Sequence, residues 1–155
     1  MSEIKSLSGA GWLKDADDNF QSLKSLAGLH ITPFVFDTAA NDATSPTPVS
    51  NKTVAAHPLA VTIPDNAIVI GGHVDVISAI TSDGSATVAI HLVAANDLLT
   101  ATGKASLGAK AQLPMAAVIA APIKLEAAKA VTVTVGTAAL TAGKINGYII
   151  WMEGE

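Results

Sequence analysis

From residue 53 onward, apolar and polar positions alternate. Val131, Val133 and Val135 are separated by Thr132 and Thr134, and Val88, Ile90 and Leu92 alternate with Thr87, Ala89 and His91. A strict period of two, carried by β-branched residues, predicts strands. Val74, Val76 and Ile80 form the matching face of a preceding strand, with Asp83-Gly84 between the two. An Asp-Gly pair flanked by alternating apolar residues predicts a hairpin. Pro64-Asp65-Asn66 predicts a turn between Val54–Ile63 and Ala67–Ile77. Ile123 and Leu125 open a further strand, and Ala142-Gly143 turns the chain into a last one from Ile145 to Met152. The Ala/Gly-rich stretch Thr100 to Ala121 reads as a long excursion from the sheet. Roughly six or seven short strands with such turns predict a mainly β protein, an antiparallel β-sandwich or jelly-roll-like domain over residues 53–155.

The start of the chain follows a different period. Leu13, Ala16, Phe20, Leu23 and Ala27 recur three and four apart, bracketed by Gly11 and Gly28. That spacing puts them on one helical stripe, and Asp15, Asp17 and Asp18 stand near its start, where a helix dipole favours carboxylates. One short amphipathic helix is expected within an N-terminal arm of residues 1–37, followed by a short strand, His30 to Phe36, broken at Pro33. Residues 38–52 hold one valine and no larger apolar side chain. Such a stretch buries too little to offset its ordering entropy, so an extended linker is expected.

Composition then removes whole classes of function. Only 14% of the 155 residues are charged, against about 25% in an ordinary domain. All the basic residues are lysines, and the net charge is -4. Nucleic acid is therefore not the expected partner, since phosphate recognition leans on Arg forks and clustered positive charge. The absence of cysteine removes disulfides, thiolate nucleophiles and Cys-based metal sites. Met1 to Gly11 lacks the apolar run of a secretory signal. Leu113 to Ile123, the most apolar later segment, is about half the roughly 20 residues of a membrane span and contains Pro114 and Pro122, so no membrane association is expected.

Candidate chemistry is sparse. Asp15, Asp17 and Asn19 match the opening of a calcium loop, but Phe20 occupies the glycine position and Leu26 the bidentate glutamate position. His73 and Asp75 share one face of a strand, and His91 on a paired strand would complete a metal or acid–base trio, although solvent-facing polar residues are the simpler reading. No nucleophile elbow occurs, and Gly71-Gly72 leads into a strand instead of a phosphate-binding helix. No catalytic, cofactor-binding or metal-binding residues are assigned, and an enzyme is not expected. What remains is a chain of low charge whose sheet faces need cover, which points to self-association as a dimer or trimer and to a structural partner. Four of the six aromatics lie before residue 37. Trp12, Leu13, Phe20, Leu23, Phe34 and Phe36 are the candidate partner-binding residues of the arm. The same residues could instead cap an open end of the sandwich.

Two segments carry a resemblance. TIPDNAIVIGGHVDVISAITSDGSATVAIHLVAANDLL (Thr62 to Leu99) and IKLEAAKAVTVTVGTAALTAGKINGYIIWME (Ile123 to Glu153) resemble small structural proteins of tailed bacteriophages, over about 70 residues of the β domain. The resemblance implies a non-enzymatic virion component on the capsid surface. It implies a capsid decoration, or cement, protein that bridges major capsid subunits and stabilises the head. The alternative it leaves open is a head or tail fibre module that binds a receptor or glycan.

Overall fold

The structure, a computed structural model, describes residues 28–155. The helix predicted around Leu13 to Ala27 lies outside them. The described chain runs β1 (Leu29–Asp37), β2 (Ala56–Ile63), β3 (Ala67–Thr81), β4 (Thr87–His91), β5 (Leu99–Gly103), a 3-10 turn (Lys104–Ser106), β6 (Gln112–Pro114), α1 (Ala116–Ala120), β7 (Ile123–Lys124), β8 (Lys129–Gly136) and β9 (Ala142–Glu153). The first sheet has the order β1-β9-β3-β6, with β7 also on β3, and the second has the order β2-β8-β4-β5. Every pairing is antiparallel. The protein is a β-sandwich, as the alternation predicted.

The same alternation fills the core. Val131, Val133 and Val135 point inward from β8 and are buried, whereas Thr132 and Thr134 stay half-exposed on the outside. Phe36, Ile63, Ile90, Leu125, Ile145 and Ile149 are fully buried between the sheets. Burying each such side chain is worth about 1.5–3 kcal/mol.

β1 departs from expectation. It runs unbroken through Pro33 and pairs with β9 from Leu29↔Met152 to Asp37↔Lys144. Residues 29–37 are thus a strand of the sandwich and not part of a separate arm. The proline is accommodated because β1 is an edge strand. Thr38 N–H donates to Gly143 O at 3.1 Å, continuing the register of the ladder. Antiparallel alternation therefore turns even-numbered residues toward β9 and leaves position 33 facing away, where no N–H is needed. Pro58 and Pro114 likewise sit on edge strands, β2 and β6, and the interior strands β3, β4, β8 and β9 contain no proline.

The Asp83-Gly84 turn does not close a hairpin. β3 belongs to the first sheet and β4 to the second, so the turn carries the chain across the sandwich. Gly84 has no positive φ, which a type I′ hairpin would demand. Its small size is what matters, because a Cβ there would lie 2.7 Å from Ala138 Cβ. Pro64-Asp65-Asn66 does turn the chain, with Asn66 at φ 58°, and it too passes from one sheet to the other. Ala142-Gly143 lies inside β9, and the preceding reversal includes Thr137 at φ 68°. The excursion expected over Thr100 to Ala121 contributes β6 and most of β5 to the sheets and carries α1.

Residues 38–55 form a folded loop and not an extended tether. Thr38, Asp42 and Asn51 are buried, and Asn41 bridges Ser50. Ala43 N–H donates to Pro58 O at 2.8 Å, and Leu140 N–H to Lys52 O at 2.8 Å. The entropy argument counted only apolar burial. Here polar groups instead pair around Asp42 and His57, and Asn51 donates its amide N–H to Asp37 O at 2.9 Å, leaving its buried Oδ1 without a partner.

Candidate interaction surfaces

Asp42 holds the loop from its centre. Its Oδ1 accepts N–H bonds from Thr44 (3.0 Å) and Val49 (2.9 Å), and its Oδ2 lies 3.1 Å from His57 Nδ1. His57 Nε2 is 2.8 Å from Thr53 O, so each ring nitrogen faces an oxygen. Burial pushes the Asp42 carboxyl up, but the Val49 and Thr44 N–H groups and the His57 ring outweigh it and hold the carboxyl at about 2, below its usual 3.8. The chemistry of this pair is architectural, since both side chains are spent on the loop. No sequence motif links His57 to Asp42, because 15 residues separate them.

The candidate partner-binding residues divide. Trp12, Leu13, Phe20 and Leu23 lie outside the described residues, as does the calcium-like Asp15, Asp17 and Asn19. Phe34 and Phe36 are 2% and 0% exposed and belong to the core, out of reach of any partner. The Phe34 ring lies against the backbone of β9, where a Cβ on Gly147 would come within 2.3 Å of Phe34 Cζ. The trio His73, Asp75 and His91 is not brought together. His73 and Asp75 lie on β3 in the first sheet, whereas His91 lies on β4 in the second. Among the described residues, no group of three or more His, Cys, Asp or Glu could hold a metal ion.

Two outer faces and one groove remain. On the second sheet, the register lines up Ala56, Thr134 and Ala89 in one row, and Pro58, Thr132 and His91 in the next. This face carries mostly small side chains, with His91 as the titratable group of those rows. On the first sheet the rows are Leu29–Met152–Ile68, Ile31–Ile150–Gly71, Pro33–Tyr148–His73 and Val35–Asn146–Asp75. They grade from apolar to polar toward the Asp37–Lys144 ion pair at 3.5 Å. Leu29, Ile31, Val35 and Tyr148 are exposed there, and Ile119 of α1 flanks them above Gly71. His73, Asp75, Asn146 and Tyr148 line a hollow of about 200 Å³ at the polar end. A groove of about 530 Å³ runs between β1 and β2 beside the folded loop, walled by Pro33, Val35, Leu59 and Val61 with Asn51 at one side.

This sandwich recurs among known structures. A chain in the acid-stable capsid structure of Helicobacter pylori bacteriophage KHP30 superposes with a TM-score of 0.55 at 14% identity, over 82% of this chain and 89% of that one. The fold is one found in phage capsids. A chain in the capsid asymmetric unit of cyanophage Pam1 gives a TM-score of 0.53 at 15% identity, over 81% and 84% of the two chains. A chain in the capsid of Ralstonia phage GP4 gives 0.53 at 18% identity, over 81% and 86%. In each case the likeness spans most of both chains. No protein-family model matches the chain, and no curated protein matches it.

Proposed function

We propose that this chain is a bacteriophage virion structural protein, a capsid decoration protein that binds the head and bridges major capsid subunits. The observation that carries this reading is the fold shared, over most of both chains, with components of three phage capsid structures. The outer face of the second sheet supports it. Its Thr and Ala rows carry no Asp, Glu, Lys or Arg, so they can lie on a partner without desolvating such ions. Nothing in this role needs catalysis, and the buried Asp42–His57 pair serves the loop. Self-association into a dimer or trimer belongs to the same reading, because it would multiply weak contacts at neighbouring lattice points.

Copy number tests the proposal. In purified virions the protein should approach the abundance of the major capsid protein, and virions lacking it should release their genome at lower temperature. A handful of copies per virion would instead favour the fibre reading.

A further inference from the structure

Two neighbouring rows on the outer face of the first sheet differ in kind. The register extends the row Pro33–Tyr148–His73 to Pro114 on β6, and the row Val35–Asn146–Asp75 to Gln112. The first row is a line of side-chain rings. The second brings two amides and a carboxylate together. The His73 and Tyr148 rings lie 6.0 Å apart, centroid to centroid, and are inclined by 30°. Tyr148 is 40% exposed, and the hollow of about 200 Å³ opens where the two rows meet. Residues two apart on a strand stand about 7 Å from one another, so a ligand one ring wide reaches both rows. The polar side chains here are uncommitted. Among the described residues, no hydrogen bond engages the side chains of His73, Asp75, Gln112, Asn146 or Tyr148, and no ion pair engages Asp75. On the second sheet, by contrast, His91 Nδ1 lies 3.4 Å from Thr134 Oγ1.

We propose that this hollow binds a neutral saccharide. A sugar ring has a face of C–H bonds and an edge of hydroxyls, and the two rows offer a match for each. The C–H face lies on the Tyr148 ring, whose π face is negative, with Pro33 and His73 extending the platform on either side. The hydroxyl edge meets Asn146, Asp75 and Gln112. Each hydroxyl both donates and accepts, and this row holds both kinds of partner: amide N–H donors, amide oxygens and carboxylate oxygens. A cation would give the two amide N–H groups nothing to bond. A phosphate or an acidic sugar would face the carboxylate of Asp75. The site stands apart from the decoration reading. In that role the second sheet lies on the capsid and leaves this face outward, whereas sugar binding is a property of the free protein.

The test is an NMR titration of the full-length, isotope-labelled protein with maltose, lactose and N,N′-diacetylchitobiose. At least one sugar should give saturable shifts, with a millimolar Kd, at the amides of His73, Gln112, Asn146, Gly147 and Tyr148. Amides of the second sheet should stay still. Tyr148→Ala and Asp75→Ala should each weaken that binding at least tenfold, whereas Tyr148→Phe keeps the ring and should retain most of it. These side chains lie on the outer face, so circular dichroism should show an intact sandwich in every variant. Thr132→Ala, on the opposite sheet, should bind as the wild type does. The proposal is overturned if none of the three sugars gives saturable shifts at the hollow, or if Tyr148→Ala binds undiminished. It is equally overturned if N-acetylarginine amide shifts these amides and the sugars do not, which would make the hollow a cation site.

Discussion

On the first sheet the outward row of β1 reads Leu29, Ile31, Pro33 and Val35, and on the second the outward row of β8 reads Ala130, Thr132 and Thr134. Turned over, the two sheets are alike: Phe34, Phe36, Ile145 and Ile149 meet Val88, Ile90, Val131 and Val133 in one close-packed interior. The inner faces have the same task and the same kind of residue. The outer faces differ, one carrying bulky aliphatics and the other small side chains. Bulky aliphatics at strand spacing suit side chains that interdigitate, as from a helix. Small side chains bearing a methyl or hydroxyl group suit a broad flat surface, where shape complementarity and water exclusion matter more than any single anchor.

The sharpest way to break the equivalence of the inner faces is Phe36→Ala. If β1 is core, the substitution should cost about 3–5 kcal/mol, read by denaturant or thermal unfolding. A cost near zero would return residues 29–37 to a dispensable arm. Asp42→Ala comes next, at about 3 kcal/mol, because it strands His57 and two backbone N–H groups inside the loop beside edge strands β1 and β2. The wild-type pair also sets an acid limit. The unfolded chain takes up the Asp42 proton near 3.8, before the folded chain does at about 2. Its stabilisation is therefore complete above about pH 4–5 and is withdrawn as the pH falls through that interval. In Asp42→Ala the unfolding midpoint should change less between pH 5 and pH 2.5 than in the wild type.

Contrasting the outer faces needs a functional readout. Thr132→Lys/Thr134→Lys should abolish attachment to capsids stripped of the protein while changing stability by about 0.5 kcal/mol or less. Ile31→Lys on the other face should leave attachment intact, and the reverse pattern would exchange the roles of the two sheets. The smallest effect belongs to Lys144→Ala. It breaks a half-exposed ion pair with Asp37 at the polar end of the first sheet and should cost below about 1 kcal/mol.

Which side of each strand is buried was legible from the alternation of Val131, Val133 and Val135 with their threonines. Which strands pair was not. Asp83-Gly84 announces a reversal, but a reversal does not say whether the returning strand pairs with the one before it or crosses to another layer. That choice depends on partners far away in the chain, such as Trp151, whose indole N–H donates to Thr32 Oγ1 across 119 residues at 2.8 Å. The loop at 38–55 was misread for a related reason. Its ordering rests on Asp42 meeting His57, a contact with no periodic signature. Of the candidate surfaces, the small-side-chain face of the second sheet could be read from Thr132, Thr134 and Ala130. The mixed face of the first required knowing that β1 lies beside β9.

The three strand prolines have a consequence for the life of the protein at high density. In the proposed role the protein would accumulate in quantity before and during assembly, and a β-sandwich with open edges is a template on which copies can add end to end without limit. Pro33, Pro58 and Pro114 each remove a donor from an edge strand, three of the borders at which such a fibre could grow. Any association of copies in the proposed role would thereby be steered away from strand edges and toward sheet faces. Replacing Pro33 with a donor-bearing residue such as valine would leave the folded protein much as it is and make its concentrated solutions prone to gel.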